Sequence, residues 1–284
     1  MSEAQNIQWF PGHMAKTRRL LKESLALCDA VCEIVDARIP ASSRNPDLAG
    51  IVAGKDRIIL LNKCDMADPK ETEKWLSYFK SEGLMALAVD CRSGKGLSAF
   101  KNSVKELLAP KLAAYREKGM VGKPLRVMVV GIPNVGKSSF INRMAGGGKA
   151  KVENRPGVTR GNQWFRIDNE LELLDTPGVL WPKLDDKEVG ERLAFTGAVK
   201  DEVVDVEWLA VRLLECLSDR YMPMLSARYK IEKDEPYEML CAIAKNRGMM
   251  IRGGEADTER AANIFLNEFR TEKIGKITLE VHDA

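Results

Sequence analysis

Gly131-Ile132-Pro133-Asn134-Val135-Gly136-Lys137-Ser138 follows the apolar run Val127 to Val130 and precedes a helical stretch beginning near Ser138. This is a GxxxxGKS phosphate-binding loop in the strand, loop, helix context that such a loop requires. Its glycines let backbone N–H groups converge on a phosphate chain, and the helix N-terminus adds partial positive charge. Lys137 would reach the β- and γ-phosphates and act in catalysis, while the Ser138 hydroxyl would ligate Mg²⁺. Asn134, Val135, Gly136 and Ser139 complete the expected cradle.

Outward from this loop, short apolar runs of buried-strand character recur at Val31 to Val35, Ile58 to Leu61, Met85 to Val89 and Leu171 to Leu174. Helical patterns at 13–29, 69–82 and 97–117 alternate with them. The alternation predicts an α/β fold, a doubly wound and mostly parallel sheet with helices on both faces. After about residue 182 the pattern turns helical, with stretches at 187–199, 206–218, 235–247 and 256–270 separated by Met222-Pro223 and Arg252-Gly253-Gly254. The expected division is 1–181, an α/β nucleotide domain with an N-terminal helix, and 182–284, a smaller all-helical domain.

The base is chosen by Asn62-Lys63-Cys64-Asp65, at the end of the run Ile58 to Leu61. A carboxylate there can accept from guanine N1–H and the exocyclic amine, a donor pair that adenine lacks. Asn62 would brace the loop and the stem of Lys63 could cover the base. Asp175-Thr176-Pro177-Gly178, after Leu171 to Leu174, would hold the Mg²⁺ shell through Asp175 and sense the γ-phosphate through the Gly178 N–H. DxxG is a weak pattern, and Asp47-Leu48-Ala49-Gly50 matches it without a suitable strand. Thr159, within Pro156-Gly157-Val158-Thr159-Arg160, is the residue type that closes over Mg²⁺ in a switch loop; a plain surface turn is the alternative. Asp90 to Gly96 follows Met85 to Val89 and would give a backbone N–H, at Cys91, to the base oxygen.

The order of these parts is unusual. NKxD precedes the P-loop by about 70 residues, whereas most GTPases place it last. Joining the usual ends and opening the chain elsewhere keeps all the loops at the carboxyl ends of neighbouring strands. The sequence is therefore read as a circular permutation, with 97–117 and Lys118 to Pro124 as the new connection.

Composition sets the outer limits. The chain has 284 residues, 45% hydrophobic and 30% charged, which suits a globular protein of one large or two smaller domains. No apolar run approaches about 18 residues, and the first six residues lack a signal-like pattern, so a cytoplasmic protein with no membrane partner is expected. Six scattered cysteines without a CxxC pair and two histidines argue against zinc and disulfides. The net charge of +3 hides an asymmetry: residues 1–199 carry 31 basic against 24 acidic residues, and residues 200–284 carry 13 against 17.

Taken together, the motifs resemble the circularly permuted GTPases, and within them the ribosome biogenesis GTPase A (RbgA/YlqF) family. The likeness spans Trp9-Phe10-Pro11-Gly12-His13-Met14-Ala15-Lys16, Asp36-Ala37-Arg38-Ile39-Pro40, the permuted motifs and Leu180-Trp181-Pro182. Arg252-Gly253-Gly254-Glu255 and Gly275-Lys276-Ile277-Thr278-Leu279-Glu280 extend it to the end of the chain. The resemblance implies a GTP- and GDP-binding hydrolase acting late in assembly of the large ribosomal subunit, with a C-terminal helical domain that contacts ribosomal RNA. It also implies a catalytic role for His13, since Val179, where many GTPases carry a water-orienting glutamine, has no hydrogen-bonding group. A histidine capping a helix beside a Pro-Gly turn is the alternative. Asn134 matches a position that helps hold K⁺ beside the phosphates in related GTPases.

Basic groups that could meet RNA are Lys16, Arg18, Arg19 and Lys22, then Lys149, Lys151, Arg155 and Arg160, then Lys245, Arg247 and Arg252. Solvated faces are the plainer reading of each. A ribosome-activated, monomeric GTPase is the leading expectation. A P-loop ATPase or small-molecule kinase and a non-catalytic, nucleotide-gated RNA scaffold stay open, the last because of Val179.

Overall fold

The computed structural model describes residues 14–52, 54–120, 122–146, 152–153, 163–177 and 186–282. The described residues fall into two compact units, one within 14–177 together with 280–282 and one of 186–279. Glu280 to His282 thus pack with the first unit, not with the helical domain to which their place in the sequence assigned them. Among the described residues no helix is long and apolar enough to cross a membrane.

In chain order the first unit contains α1 (Met14–Leu25), β1 (Ala30–Asp36), α2 (Pro46–Ile51), β2 (Asp56–Asn62), α3 (Pro69–Ser81), β3 (Met85–Val89), a 3₁₀ turn (Leu97–Ala99), α4 (Phe100–Leu107), α5 (Ala109–Glu117), β4 (Leu125–Val130), α6 (Lys137–Met144), β5 (Val152–Glu153), β6 (Gln163–Arg166) and β7 (Leu171–Asp175). Among the described residues the seven strands form one sheet in the order β3-β2-β1-β4-β7-β6-β5. Pairing is parallel from β3 through β7 and antiparallel at β7-β6 and β6-β5. Every residue of β1 is buried, which is why its sequence from Ala30 to Val35 reads as an apolar run broken only by Glu33.

Helices cover both faces, as a doubly wound sheet requires. On one face Leu21 and Leu25 of α1 and Leu48 of α2 pack with Val31, Met128 and Leu174, while Trp75 and Phe79 of α3 pack with Val35, Ile59 and Leu61. On the other, α4 and α6 meet through Phe100 and Phe140, edge to face at 4.9 Å. Rings buried in this way contribute about 0.5–1.5 kcal/mol beyond their area. The helical pattern 97–117 divides at Leu108, because Pro110 lacks the N–H and crowds the carbonyl of the preceding turn. Asp47 to Gly50 lies within α2 and not at a strand end, which disposes of the second DxxG match.

The second unit contains α7 (Lys187–Phe195), a 3₁₀ turn (Asp201–Val203), α8 (Val206–Ser218), α9 (Met222–Tyr229), α10 (Pro236–Asn246) and α11 (Thr258–Arg270). Asp186, Asp205 and Asp257 each cap a helix by accepting from a first-turn N–H, so these starts are legible in sequence. Met222-Pro223, expected to separate helices, instead opens α9: a proline in the first turn loses no intrahelical hydrogen bond.

Candidate nucleotide-binding and hydrolysis site

Parallel pairing puts the carboxyl ends of β2, β3, β4 and β7 at one edge of the sheet, and each ends in a predicted motif. The P-loop turns sharply out of β4 with positive φ at Gly131 (154°), Asn134 (59°) and Gly136 (107°). Two of its glycines are demanded by close approach. A Cβ on Gly131 would stand 2.6 Å from the Ile34 carbonyl oxygen, and one on Gly136 would stand 2.2 Å from Asn62 Nδ2. Ser138 and Ser139 are exposed in the first turn of α6, as is Asn134 in the loop.

Asn62 joins the motifs. Its Nδ2 donates to the Val135 carbonyl at 2.7 Å and its Oδ1 accepts from the Cys91 N–H at 3.0 Å, with the residue 3% exposed. The expected bracing role is thereby extended to two loops at once. It also corrects the reading of Cys91: the amide expected to meet the base oxygen is committed to Asn62. The neighbouring amides of Arg92 and Ser93 donate to the Asp90 carboxylate. The buried amide of Asn62 needs partners on both sides, and the Asp90 to Gly96 turn supplies one of them.

Lys137 is buried, and its ammonium donates to the carbonyls of Gly131 (3.0 Å) and Ile132 (2.8 Å). Burial lowers its pKa to about 8, with Asp175 working in the opposite direction. Asp175, at the end of β7, is raised by burial despite Lys137, and its Oδ1 is buried with no hydrogen-bond partner. Thr176 holds this strand end to β4 by donating to the Val129 carbonyl at 2.7 Å. A desolvated carboxylate oxygen without a donor, on the strand beside the P-loop, fits a cation site. One carboxylate with serine hydroxyls and phosphate oxygens is the donor set Mg²⁺ uses.

Asp65 pairs with Arg92 at 3.1 Å, and Arg92 is 73% exposed. Such an exposed pair is worth little, so the edge of an incoming base can compete for the carboxylate. Lys63 has φ 62° and its ammonium donates to Asp36 Oδ2 at 2.9 Å. Asp36 also takes both Nε (2.9 Å) and Nη2 (2.7 Å) of the buried Arg38. Burial would raise the Asp36 carboxyl, but the two cations outweigh it and hold it well below the usual carboxylate range. The motifs did not assign this buried pair. Its signal was an Asp-x-Arg at the carboxyl end of a strand that is buried throughout.

His13, Thr159, Gly178 and Val179 lie outside the described residues, as do Lys149, Lys151, Arg155, Arg160 and Leu180 to Pro182. The side chains of Lys16 and Arg18 are likewise undescribed, and Arg19 pairs with Glu23 at 2.9 Å. Arg247, counted in a basic patch, is committed to Glu268 at 3.0 Å.

Comparison with known proteins agrees with this geometry. A family model described as "50S ribosome-binding GTPase" matches residues 126–242, starting in β4 and leaving out the permuted Asn62 to Asp65. The chain is similar to "Ribosome biogenesis GTPase A" of Priestia megaterium, 50% identical over 278 residues, 96% of each chain. It is 45% identical to the protein of that description from Bacillus cereus, covering 96% of this chain and 93% of the relative. Among solved structures, GDP-bound TM YlqF superposes with TM-score 0.66 at 28% identity, over 92% of this chain and 98% of that one. GNP-bound YlqF from Thermotoga maritima gives 0.65 at 28% identity, over 94% and 98%.

Proposed function

Because the chain belongs to the ribosome biogenesis GTPase A family, we propose that this GTPase serves a late step in assembly of the large ribosomal subunit, binding the immature particle in its GTP state and leaving after hydrolysis. The observation that carries the reading is Asn62, which draws the Asn62 to Asp65 loop, the P-loop and the Asp90 to Gly96 turn into one guanine-nucleotide site despite their permuted order. Asp65 reads the guanine edge, Lys63 flanks it, and Lys137 with the P-loop amides holds the β- and γ-phosphates. Ser138, Asp175 and Thr159 would hold Mg²⁺. Bound there, that ion would supply positive charge to offset the charge of the phosphate chain.

The family resemblance assigns the water-orienting work to His13, and Asn134 a share in holding K⁺. Without a glutamine after Gly178, intrinsic turnover is slow, and contact with the ribosome brings the histidine to the γ-phosphate. Gly178 would sense that phosphate through its N–H. The exposed residues Lys245 and Arg252, beside Met250 and Ile251, contribute to RNA contact by the helical unit, and the protein acts as a monomer in the cytoplasm. Phosphate contacts would make that binding salt-sensitive.

The test is GTP hydrolysis with and without purified large subunits, in K⁺ and in Na⁺. Large subunits should raise turnover, K⁺ should support it better than Na⁺, and His13→Ala should lose the stimulation while retaining GDP affinity. Equal turnover with and without large subunits would overturn the activation, whichever ion is present.

A further inference from the structure

The segment Glu280–His282 takes no part in the chemistry above, yet it places a carboxylate, 6% exposed, in the first unit. Glu280 Oε2 accepts from the backbone N–H of Ala41 (2.6 Å) and Ser42 (3.2 Å), and Oε1 accepts from the Ser42 N–H (2.9 Å) and the Ser42 hydroxyl. The Glu280 carbonyl accepts from Trp75 Nε1 of α3 at 2.9 Å. The His282 ring lies 4.4 Å from the Tyr78 ring and meets Trp75 edge-on at 5.2 Å. Charge-assisted bonds of this kind are about twice as strong as neutral ones, so the segment is firmly seated.

The two segments joined in this way flank the Asn62 to Asp65 loop. One is the turn after β1, where Ser43 Oγ accepts the Asp36 N–H (3.0 Å) and donates to the Ile39 carbonyl (2.7 Å). Asp36 in turn anchors Lys63. The other is α3, which starts just beyond Asp65 and is capped by Asp68. We propose that Glu280 is a positioning residue for the guanine-reading loop. By clasping residues 41–42 and tying them to α3, it fixes the turn that presents the Asp36 carboxylate to Lys63, and so keeps Lys63 and Asp65 placed for the base. The inference rests on the reading of Asn62 to Asp65 as the base-binding loop.

Displacement of fluorescently labelled GDP from the full chain tests it, with GDP, ADP and pyrophosphate as competitors. Pyrophosphate meets the P-loop alone and reports general damage. Glu280→Ala should weaken GDP about tenfold, the equivalent of about 1.4 kcal/mol, and narrow the preference for GDP over ADP, leaving pyrophosphate unchanged. Glu280→Gln, which keeps one acceptor oxygen, should recover part of the loss. Unchanged GDP affinity, or equal loss of GDP and pyrophosphate, would overturn the proposal. If Glu280→Ala does not fold, Trp75→Phe decides: it removes the indole donor and keeps a ring, and unaltered GDP affinity in it and in Glu280→Gln overturns the idea equally. Asp65→Asn separates the two readings. If it fails to move preference from GDP toward xanthosine diphosphate, the base-loop reading itself falls. If it succeeds while Glu280 variants are silent, only the positioning role does.

Discussion

Lys137 answers two opposing demands. Its ammonium is satisfied by the carbonyls of Gly131 and Ile132, and burial lowers its pKa to about 8. A phosphate chain needs the charged form, so nucleotide binding is linked to the proton. Below about pH 8 the lysine is already charged in the free protein and GDP affinity should be flat. Above it, free protein loses the cation, and affinity should fall by up to about tenfold per pH unit until the bound lysine also titrates. GDP titrations from pH 7 to 9, below the range in which guanine N1–H titrates, check this, with Lys137→Ala expected to abolish the slope. The P-loop lysine itself is plain in the sequence. Its carbonyl partners are not, because any of several carbonyls in a turning loop could serve.

At the scale of elements, Glu268 on α11 gathers the helical unit. It accepts from Arg228 (2.6 and 3.0 Å) and Tyr229 (2.9 Å) of α9, and from Arg247 (3.0 and 3.1 Å) at the end of α10. Burial would raise this carboxyl, but the arginine hydrogen bonds outweigh it and lower the pKa from the ordinary 4.5 to about 2. A lowered carboxyl contributes stability above its unfolded pKa, and the contribution is lost as pH falls through 4.5 toward 2. Glu268→Gln should therefore cost about 3 kcal/mol at pH 7 and progressively less in acid. Denaturant melts of the full chain, followed by helical content from pH 7 to 3, measure it; a pH-independent cost would mean that packing and not charge is lost. Helix positions were readable wherever an Asp cap preceded an apolar period, α8 to the residue. α9 was missed because its proline reads as a breaker unless the first turn is recognised, and β6 because four residues give no period to detect.

For the whole molecule, the residues proposed to meet the nucleotide all belong to the α/β unit. GDP at 100 times its Kd should add about 2.7 kcal/mol to that unit alone. Scanning calorimetry should then show two transitions, of which only one moves with GDP; one transition that shifts as a whole would show the units unfolding together. The sequence by itself determined which loops carry the motifs, the strands that end in them and the class of fold, because these reside in residue type and local period. Tertiary structure decided what each loop does for the others. Asn62 meets Val135 across 73 residues and Glu280 meets Ser42 across 238, and in one case the outcome reversed an expectation, turning the Cys91 amide from the base to Asn62. Local pattern names the donors and acceptors in a chain, but only the packed sheet brings distant ones within hydrogen-bonding distance and so selects which of them pair.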